Sequence, residues 1–508
     1  MPAAAGIDRT ADRAPPAAPD RMDTPRPDPR SVYASPLPGR YASQAMAALW
    51  SEKTKFEGWR RVWLALAQAQ HELGLPVSAA QVEAIRRCQT VTDADFARAR
   101  EHEQRTRHDV MAHVHALGDV APEARGIIHL GATSQDIVCN AEIPQIKTSL
   151  DLVCVKTARL IDAIARFAER HKATPCLGWT HLQPAQPTTV GKRAAMWGSD
   201  VALCLSRLEF TRDHLPLRGI KGATGTQASF LALFDGDAAK VEALEKRVIE
   251  LLGAPGRAAL AATGQTYPRV TDAHVIGEVA ALAAALHKIA LDIRLLSSRK
   301  ELDEPMEAGQ VGSSAMPHKR NPMRCERACG LARFVMSLTN AALETAADQG
   351  LERTLDDSVA RRLFLPEAFL SIDGALELMI EVAAGLTVNE GAVRRNLEDE
   401  LPFLVLEDLM LAAARKGRDR QKVHEALRRH ALEASRVVKE QGKSSDLLDR
   451  LSREPALEGI DIRAAVSPAR LIGLAPRQVD RFIAEIASPI RKRYAAEGRE
   501  ARGDRPLV

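Results

Sequence analysis

Aromatic residues make up only 4% of this 508-residue chain. Strands draw on aromatic and β-branched side chains, so this scarcity counts against a sheet-based fold. Ala, Leu and Arg are abundant instead, and these lose little side-chain freedom in a helix. Cysteine is also scarce, with seven residues scattered at 88, 139, 154, 176, 204, 325 and 329. An odd, sparse set excludes a disulfide framework. Cys325 and Cys329 stand one helical turn apart, but no second pair completes a metal site. Charge of one sign is missing too: 70 basic residues face 66 acidic ones, for a net +4. That balance excludes a broad nucleic-acid footprint. No uninterrupted apolar run reaches membrane length. Residues 1 to 35 lack the apolar core of a signal peptide, so the expected compartment is the cytoplasm.

A chain this long predicts two or three domains, or one elongated helical body. Residues 1–35 are rich in Pro, Ala, Arg and Asp, and cannot bury a core, so a disordered tail is expected. Asp8, Asp12, Asp20 and Asp23 argue against a transit peptide there. Helical patterns run from Trp59 to Leu75 and from Asp93 to Leu117. Two heptad rows follow. Ile146, Leu150, Val153, Thr157, Leu160, Ile164 and Phe167 are spaced 4-3-4-3-4-3, as are Val275, Val279, Leu282, Leu286, Ile289, Ile293 and Leu296. Such seams suit near-parallel helices in a bundle, and narrow stripes of this kind often face another subunit. A single-chain bundle is the alternative. Asn321 and Pro322 fit the N-cap and first position of a further helix. Its N-terminus, after a Gly/Ser/Pro-rich loop, would favour anions. No convincing strand appears. The expected fold is all-α, with a helical domain over 36–132, a central long-helix bundle over 133–388 and shorter helices over 389–508.

Four polar segments break this pattern. RTRHDVMAHVH sets Arg107, His108 and Asp109 side by side. HLGATSQDIVCN places Thr133 and Ser134 in a small-residue turn. GWTHLQPAQPTT holds Thr180, His181 and Gln183 between glycine and prolines. GSSAMPHKRNPMRCER carries Ser313, Ser314, Lys319, Asn321, Glu326 and Arg327. Each has a bland reading alone. His108 could cap a helix, and His181 could be a loop histidine bonded to backbone. GSSAMPHKR could be a linker, and LERTLDDSVARR a solvated helix face. Their joint occurrence points to proton-transfer chemistry.

GSSAMPHKRNP resembles the signature loop of the fumarase/aspartase superfamily, whose members eliminate fumarate or a close relative. RHDVMAHVH, GIIHLGATS, THLQPAQPTTVGKR, TGTQASF, TGQTYPR and ERTLDDSVARR narrow the resemblance to the adenylosuccinate lyase family in its animal form. It runs from about Arg40 to the C-terminal region. The resemblance implies a β-elimination that breaks a C–N bond and releases fumarate from a succinylated purine nucleotide. It implies Ser313 as general base, His181 as general acid, and His108 as the second active-site histidine. Lys319 and the helix N-terminus at Asn321 would stabilise the serine alkoxide. Arg40, Tyr41, Arg327, Arg353, Ser358 and Arg362 match positions that hold phosphate and carboxylates. Thr133 and Ser134 would bond the succinyl carboxylate, and Gln265 the base or amide. Arg107, Asp109 and Asn321 complete the implied substrate-binding set.

No metal or cofactor is implied. The implied assembly is a homotetramer whose sites are shared between subunits, with an anionic nucleotide as ligand and neither nucleic acid nor membrane as partner. Two departures stand out. Cys139 replaces an aspartate in the turn after GATS, and His318 a tyrosine. The alternatives are another fumarate-releasing lyase, such as argininosuccinate lyase or fumarase, or a catalytically retired structural protein on the same scaffold. The phosphate-binding positions Arg353, Ser358 and Arg362 discriminate against the first, and the intact Ser313, His181, His108 and Lys319 against the second.

Overall fold

The computed structural model describes residues 31–495 apart from Ala308. The tail expected over residues 1 to 35 lies almost wholly outside that range. Contacts set Met1–Pro36 apart from Leu37–Val508, and the architecture below is that of the second unit. Helices make up 69% of the described residues, so the fold is all-α.

Helices α1 (Gln44–Leu49), α2 (Glu52–Glu72), α3 (Ala79–Arg87), α4 (Asp93–Thr106) and α5 (Asp109–Val120) come first. The first four start on Ser43, Ser51, Ser78 and Thr92, whose side chains accept from first-turn amides. Each such cap contributes roughly 1 kcal/mol. Then come α6 (Ser134–Arg170), the hairpin β1 (Pro175–Thr180) and β2 (Gln183–Thr189), and α7 (Val190–Asp213). The short α8 (Ala228–Leu233) and α9 (Ala238–Leu251) lead to α10 (Val270–Ser298) and β3 (Leu302–Asp303). Next are α11 (Met323–Ala347), α12 (Asp356–Gly385) and β4 (Thr387–Val388). The remainder is α13 (Glu390–Leu404), α14 (Leu406–Arg415), α15 (Arg420–Gln441), α16 (Leu447–Leu451), α17 (Ile462–Ala465), α18 (Pro468–Leu471), α19 (Ala475–Phe482) and α20 (Ser488–Arg493).

Helices α6, α7, α10, α11 and α12 pack along one another as the central bundle. Both heptad rows lie in its core, and no member is more than 5% exposed. This corrects the expectation that the stripes face another subunit. Helices of the same chain fill both seams. Other apolar side chains stay exposed on the bundle surface: Met196, Leu203 and Phe210, seven apart on α7, with Leu291 and Leu295 on α10.

Two smaller apolar clusters flank the bundle. One gathers Trp59, Trp63, Leu117, Phe230 and Leu244, so α9 joins the early helices. The other gathers Leu409, Leu427, Leu447 and Leu451. Val479, Phe482 and Ile490 fold back onto the central core.

The bundle has two distinct ends. Helices α6, α10 and α12 run in the same direction, because Arg361 of α12 meets both Glu142 of α6 and Asp272 of α10 near their starts. At the far end β3, after α10, pairs antiparallel with β4, after α12. The 29 residues of α10 separate these ends by about 43 Å.

Candidate active site

The near end gathers much of the implied site. Arg107 closes α4 in the left-handed region, with φ of 52°. That turn delivers His108 as the N-cap of α5, so the capping role open to it from sequence is real. The Met111 amide donates to His108 Nδ1 at 3.4 Å. Nε2 lies 3.5 Å from Ser134 Oγ at the start of α6. Asp109 accepts from Arg362 Nη2 at 2.5 Å and from the Val110 amide at 2.8 Å. Burial works against its charge, yet Arg362, the Val110 amide and Lys55 together hold the Asp109 carboxyl below the usual carboxylate range. Gln265 donates to Thr133 Oγ1 at 3.3 Å, and its own amide bonds Glu352 O at 3.0 Å. Arg353 donates to Ser358 Oγ at 3.1 Å. Thus His108, Asp109, Thr133, Ser134, Gln265, Arg353, Ser358 and Arg362 form one connected group. It offers guanidinium, hydroxyl and amide donors suited to a phosphate or carboxylate.

Buried ion pairs fix this end. Arg269 pairs with Asp357 at 2.7 Å, and Arg361 pairs with Asp272 at 2.6 Å and Glu142 at 2.9 Å. LERTLDDSVARR is therefore only half a solvated face: Asp357 and Arg361 point inward while Ser358 and Arg362 stay accessible. Under Thr133, the fully buried Asp136 accepts from the Thr133 amide at 2.8 Å, the Lys221 amide at 2.9 Å, the Gly222 amide at 3.1 Å and the Arg218 guanidinium. Asp136→Ala strands a buried guanidinium. It is expected to cost about 3–5 kcal/mol, read as a lower unfolding midpoint in denaturant. An unchanged midpoint would remove Asp136 from the anchoring role.

The Ser313 loop belongs to the far end. Pro305 packs on Gly385 at the end of α12. Glu304 accepts from the Arg324 and Cys325 amides at 2.8 and 3.1 Å, and so caps α11. This corrects the expectation for Asn321 and Pro322. The helix starts at Met323 with Pro322 as its cap residue, and a carboxylate already occupies its N-terminus. Burial pushes the Glu304 carboxyl up, against the pull of those two amides. Asn321 instead donates from Nδ2 to Gly312 O at 3.0 Å and closes the loop's base. Gly312 is required there, because a Cβ would sit 2.5 Å from Lys319 O. Ser313 Oγ accepts from the Ala315 and Met316 amides at 3.4 and 3.2 Å. The two amides thus form a small donor pair on the serine oxygen. Lys319, on the same loop, is exposed.

His181 sits at the tip of the β1–β2 hairpin, with Thr180 paired to Gln183 across the turn. His181 and Leu182 both have positive φ, 54° and 57°. This is the type I′ geometry that usually takes Asn-Gly, so two non-glycine residues are held there under strain. Arg40 and Tyr41 lie in a short turn over Leu37–Tyr41 that packs on α12. Arg327 is half-buried on α11. The near-end group, the Ser313 loop, the His181 hairpin and the Arg40 turn are carried on different elements of the chain.

A family model described as lyase matches residues 36–337, and one described as adenylosuccinate lyase C-terminus matches residues 402–482. The chain is 46% identical to the adenylosuccinate lyase of Saccharomyces cerevisiae over 454 residues, 89% of this chain and 94% of that protein. It is 43% identical to that of Schistosoma mansoni over 455 residues, again 89% and 94%. The chain belongs to the adenylosuccinate lyase family. Within the fumarase/aspartase superfamily it is a carbon–nitrogen lyase. The C-terminal match carries the adenylosuccinate lyase description, not that of argininosuccinate lyase or fumarase. Among solved structures, a fumarate lyase from Mesorhizobium sp. BNC1 matches at 25% identity and a TM-score of 0.75, covering 89% of this chain and 99% of that one. A 3-carboxy-cis,cis-muconate lactonizing enzyme from Pseudomonas putida matches at 26% and 0.76, covering 90% and 98%.

Set against the adenylosuccinate lyase pattern, Cys139 does not lie in a turn. It is buried inside α6, its thiol 3.3 Å from Gln135 Oε1, and burial pushes its pKa up. Sequence reasoning missed two residues beside the near-end group. His129, with φ of 71°, accepts from Trp63 Nε1 at 3.1 Å on Nδ1, and burial pulls its pKa down. The ring is therefore neutral with its proton on Nε2. Lys55 lies 5.1 Å from the centres of the Phe56 and Trp59 rings, and burial followed by Arg362 pulls its ammonium down. The positive φ behind HLG and the cation over aromatics are tertiary facts that no spacing in the sequence announces.

Proposed function

We propose that this chain cleaves adenylosuccinate to AMP and fumarate, and the succinylaminoimidazole carboxamide ribotide to the aminoimidazole carboxamide ribotide and fumarate. Ser313 takes a proton from the succinyl CH₂. The C–H pair becomes the C=C bond of fumarate as the C–N bond breaks. The nitrogen keeps that bond's pair and receives a proton from His181. The observation that carries the reading is the pair of amides aimed at Ser313 Oγ. Serine is a poor base in water, and such donors favour its anionic form. Lys319 adds positive charge on the same loop. His108, held as the N-cap of α5, supports the acid. Arg353, Ser358, Arg362, Arg40 and Tyr41 hold the phosphate and carboxylates, while Thr133, Ser134, Gln265, Arg107, Asp109, Asn321 and Arg327 complete the lining.

The working unit in this reading is a homotetramer in which each site collects segments from three subunits. Two features support it. The Ser313 loop and the His108–Ser134 group lie at opposite ends of a bundle about 43 Å long. The exposed row Met196, Leu203 and Phe210 gives α7 a heptad face for another chain. The chain is read as three domains over 36–132, 133–388 and 389–508, a division the apolar clusters follow only in outline, since α9 packs with the early helices and Val479, Phe482 and Ile490 with the central core. The seven free cysteines suit a reducing compartment, the cytoplasm. No helix among the described residues is long and apolar enough to cross a membrane.

The test is turnover by the purified protein, following AMP and fumarate from adenylosuccinate. Both purine compounds are expected to be cleaved. Turnover of argininosuccinate with neither purine compound cleaved would overturn the assignment.

A further inference from the structure

A buried ionic cluster lies midway along the bundle, away from the near-end group and the Ser313 loop. Lys156 of α6 and Asp373 of α12 are both almost wholly inaccessible. Lys156 Nζ donates to Asp373 Oδ1 at 2.5 Å and to Ser43 Oγ at 3.1 Å, and it lies 2.8 Å from Glu377 Oε1. The other Asp373 oxygen accepts from the Ser43 backbone amide at 2.7 Å. Ser43 also caps α1 through the Met46 amide. Two charges are thus taken out of water and held only by one another and their hydrogen bonds, and the chain segment they grip is the one that carries Arg40 and Tyr41. The next residue on α12 completes the grip. A Cβ on Gly374 would fall 2.8 Å from Tyr41 O and 3.1 Å from Tyr41 Cβ. Only the absence of a side chain there lets the Arg40–Tyr41 backbone lie flat on α12. Leu37, Ala42 and Met46 pin the same segment into the central core.

We propose that Lys156, Asp373, Ser43 and Gly374 are positioning residues that hold Arg40 and Tyr41 in register for the anionic substrate. The inference rests on the reading of Arg40 and Tyr41 as substrate-binding. The cluster touches no reacting atom in this reading, so its loss should act on binding and not on the chemical step.

The test measures KM and kcat for adenylosuccinate in Ser43→Ala, Asp373→Asn and Gly374→Ala, with Arg40→Ala alongside. Amide hydrogen exchange over residues 37–46 is followed in the same proteins. Losing a charge-assisted hydrogen bond corresponds to about 10- to 100-fold, so KM should rise by that factor while kcat moves by less than about threefold. Exchange over 37–46 should quicken in the three positioning variants. Ser43→Ala and Gly374→Ala leave the Lys156–Asp373 pair intact, so they decide the matter if Asp373→Asn does not fold. If Arg40→Ala raises KM but the positioning variants leave both KM and exchange unchanged, the inference fails. If Arg40→Ala leaves KM unchanged, the substrate-binding reading of that turn fails, and quicker exchange in the other variants would show only a structural strap. A fall in kcat with an unchanged KM would also overturn the proposal.

Discussion

Ser313→Ala should lower kcat by about 10²–10⁴-fold, the usual loss when a proton-transfer group is removed. Ser314→Ala should lower it by less than about tenfold. The two serines are neighbours on one loop and cannot be told apart by residue type. Geometry separates them. Ser313 Oγ receives the Ala315 and Met316 amides, and Ser314 receives neither. Those amides sit in place before substrate arrives, so they need no reorganisation when charge develops on the oxygen. The α11 N-terminus, by contrast, spends its first amides on Glu304 and has little left for an alkoxide. Steady-state kinetics on adenylosuccinate decides the matter, with KM in both variants expected within a few-fold of the parent enzyme. If Ser314→Ala were the more damaging change, the base would be misassigned.

Much of this was legible in the sequence because it is local. The heptad rows declare α6 and α10 by their spacing alone. The motifs that mark the near-end group lie within a few residues of their helix caps. What was hidden depends on partners far apart in the chain. Glu304 caps α11 across a loop of about twenty residues, so the Asn-Pro pair looked like the better start. The His181 hairpin lacks the Asn-Gly turn that betrays a two-residue connection, and Pro184 and Pro187 disguise its second strand. The direction in which a heptad row faces was hidden for another reason. A seam looks the same whether a helix of its own chain or of a partner fills it. Here the chain fills both itself and leaves the quieter α7 row outside.

Mixing two dead variants should restore activity. His108→Ala and Ser313→Ala are each expected to be inactive, or nearly so. In one chain these residues belong to opposite ends of α10, whose 29 residues span about 43 Å. A single substrate cannot bridge that length, so if both residues serve one site, as proposed, they come from different chains. Mix the two variants in equal amounts, dissociate them mildly and let them reassemble. Half the chains that supply His108 are then intact at that position, and half of those that supply Ser313 are intact there. About one site in four receives both, so activity should recover to roughly a quarter of the parent enzyme. His181→Ala mixed with Ser313→Ala asks a finer question. The hairpin lies beyond the C-terminal end of α6, and Trp179 stacks under Arg299 at the end of α10, so His181 and Ser313 share the far end of one chain. If each site draws on three subunits, this pair also recovers to about a quarter. If only two subunits contribute and one chain gives both residues, every site carries a lesion and this mixture stays dead while the first revives. A monomeric mass in solution, or failure of the His108/Ser313 mixture despite proven subunit exchange, would refute the shared site and leave the Ser313 chemistry standing on its own test.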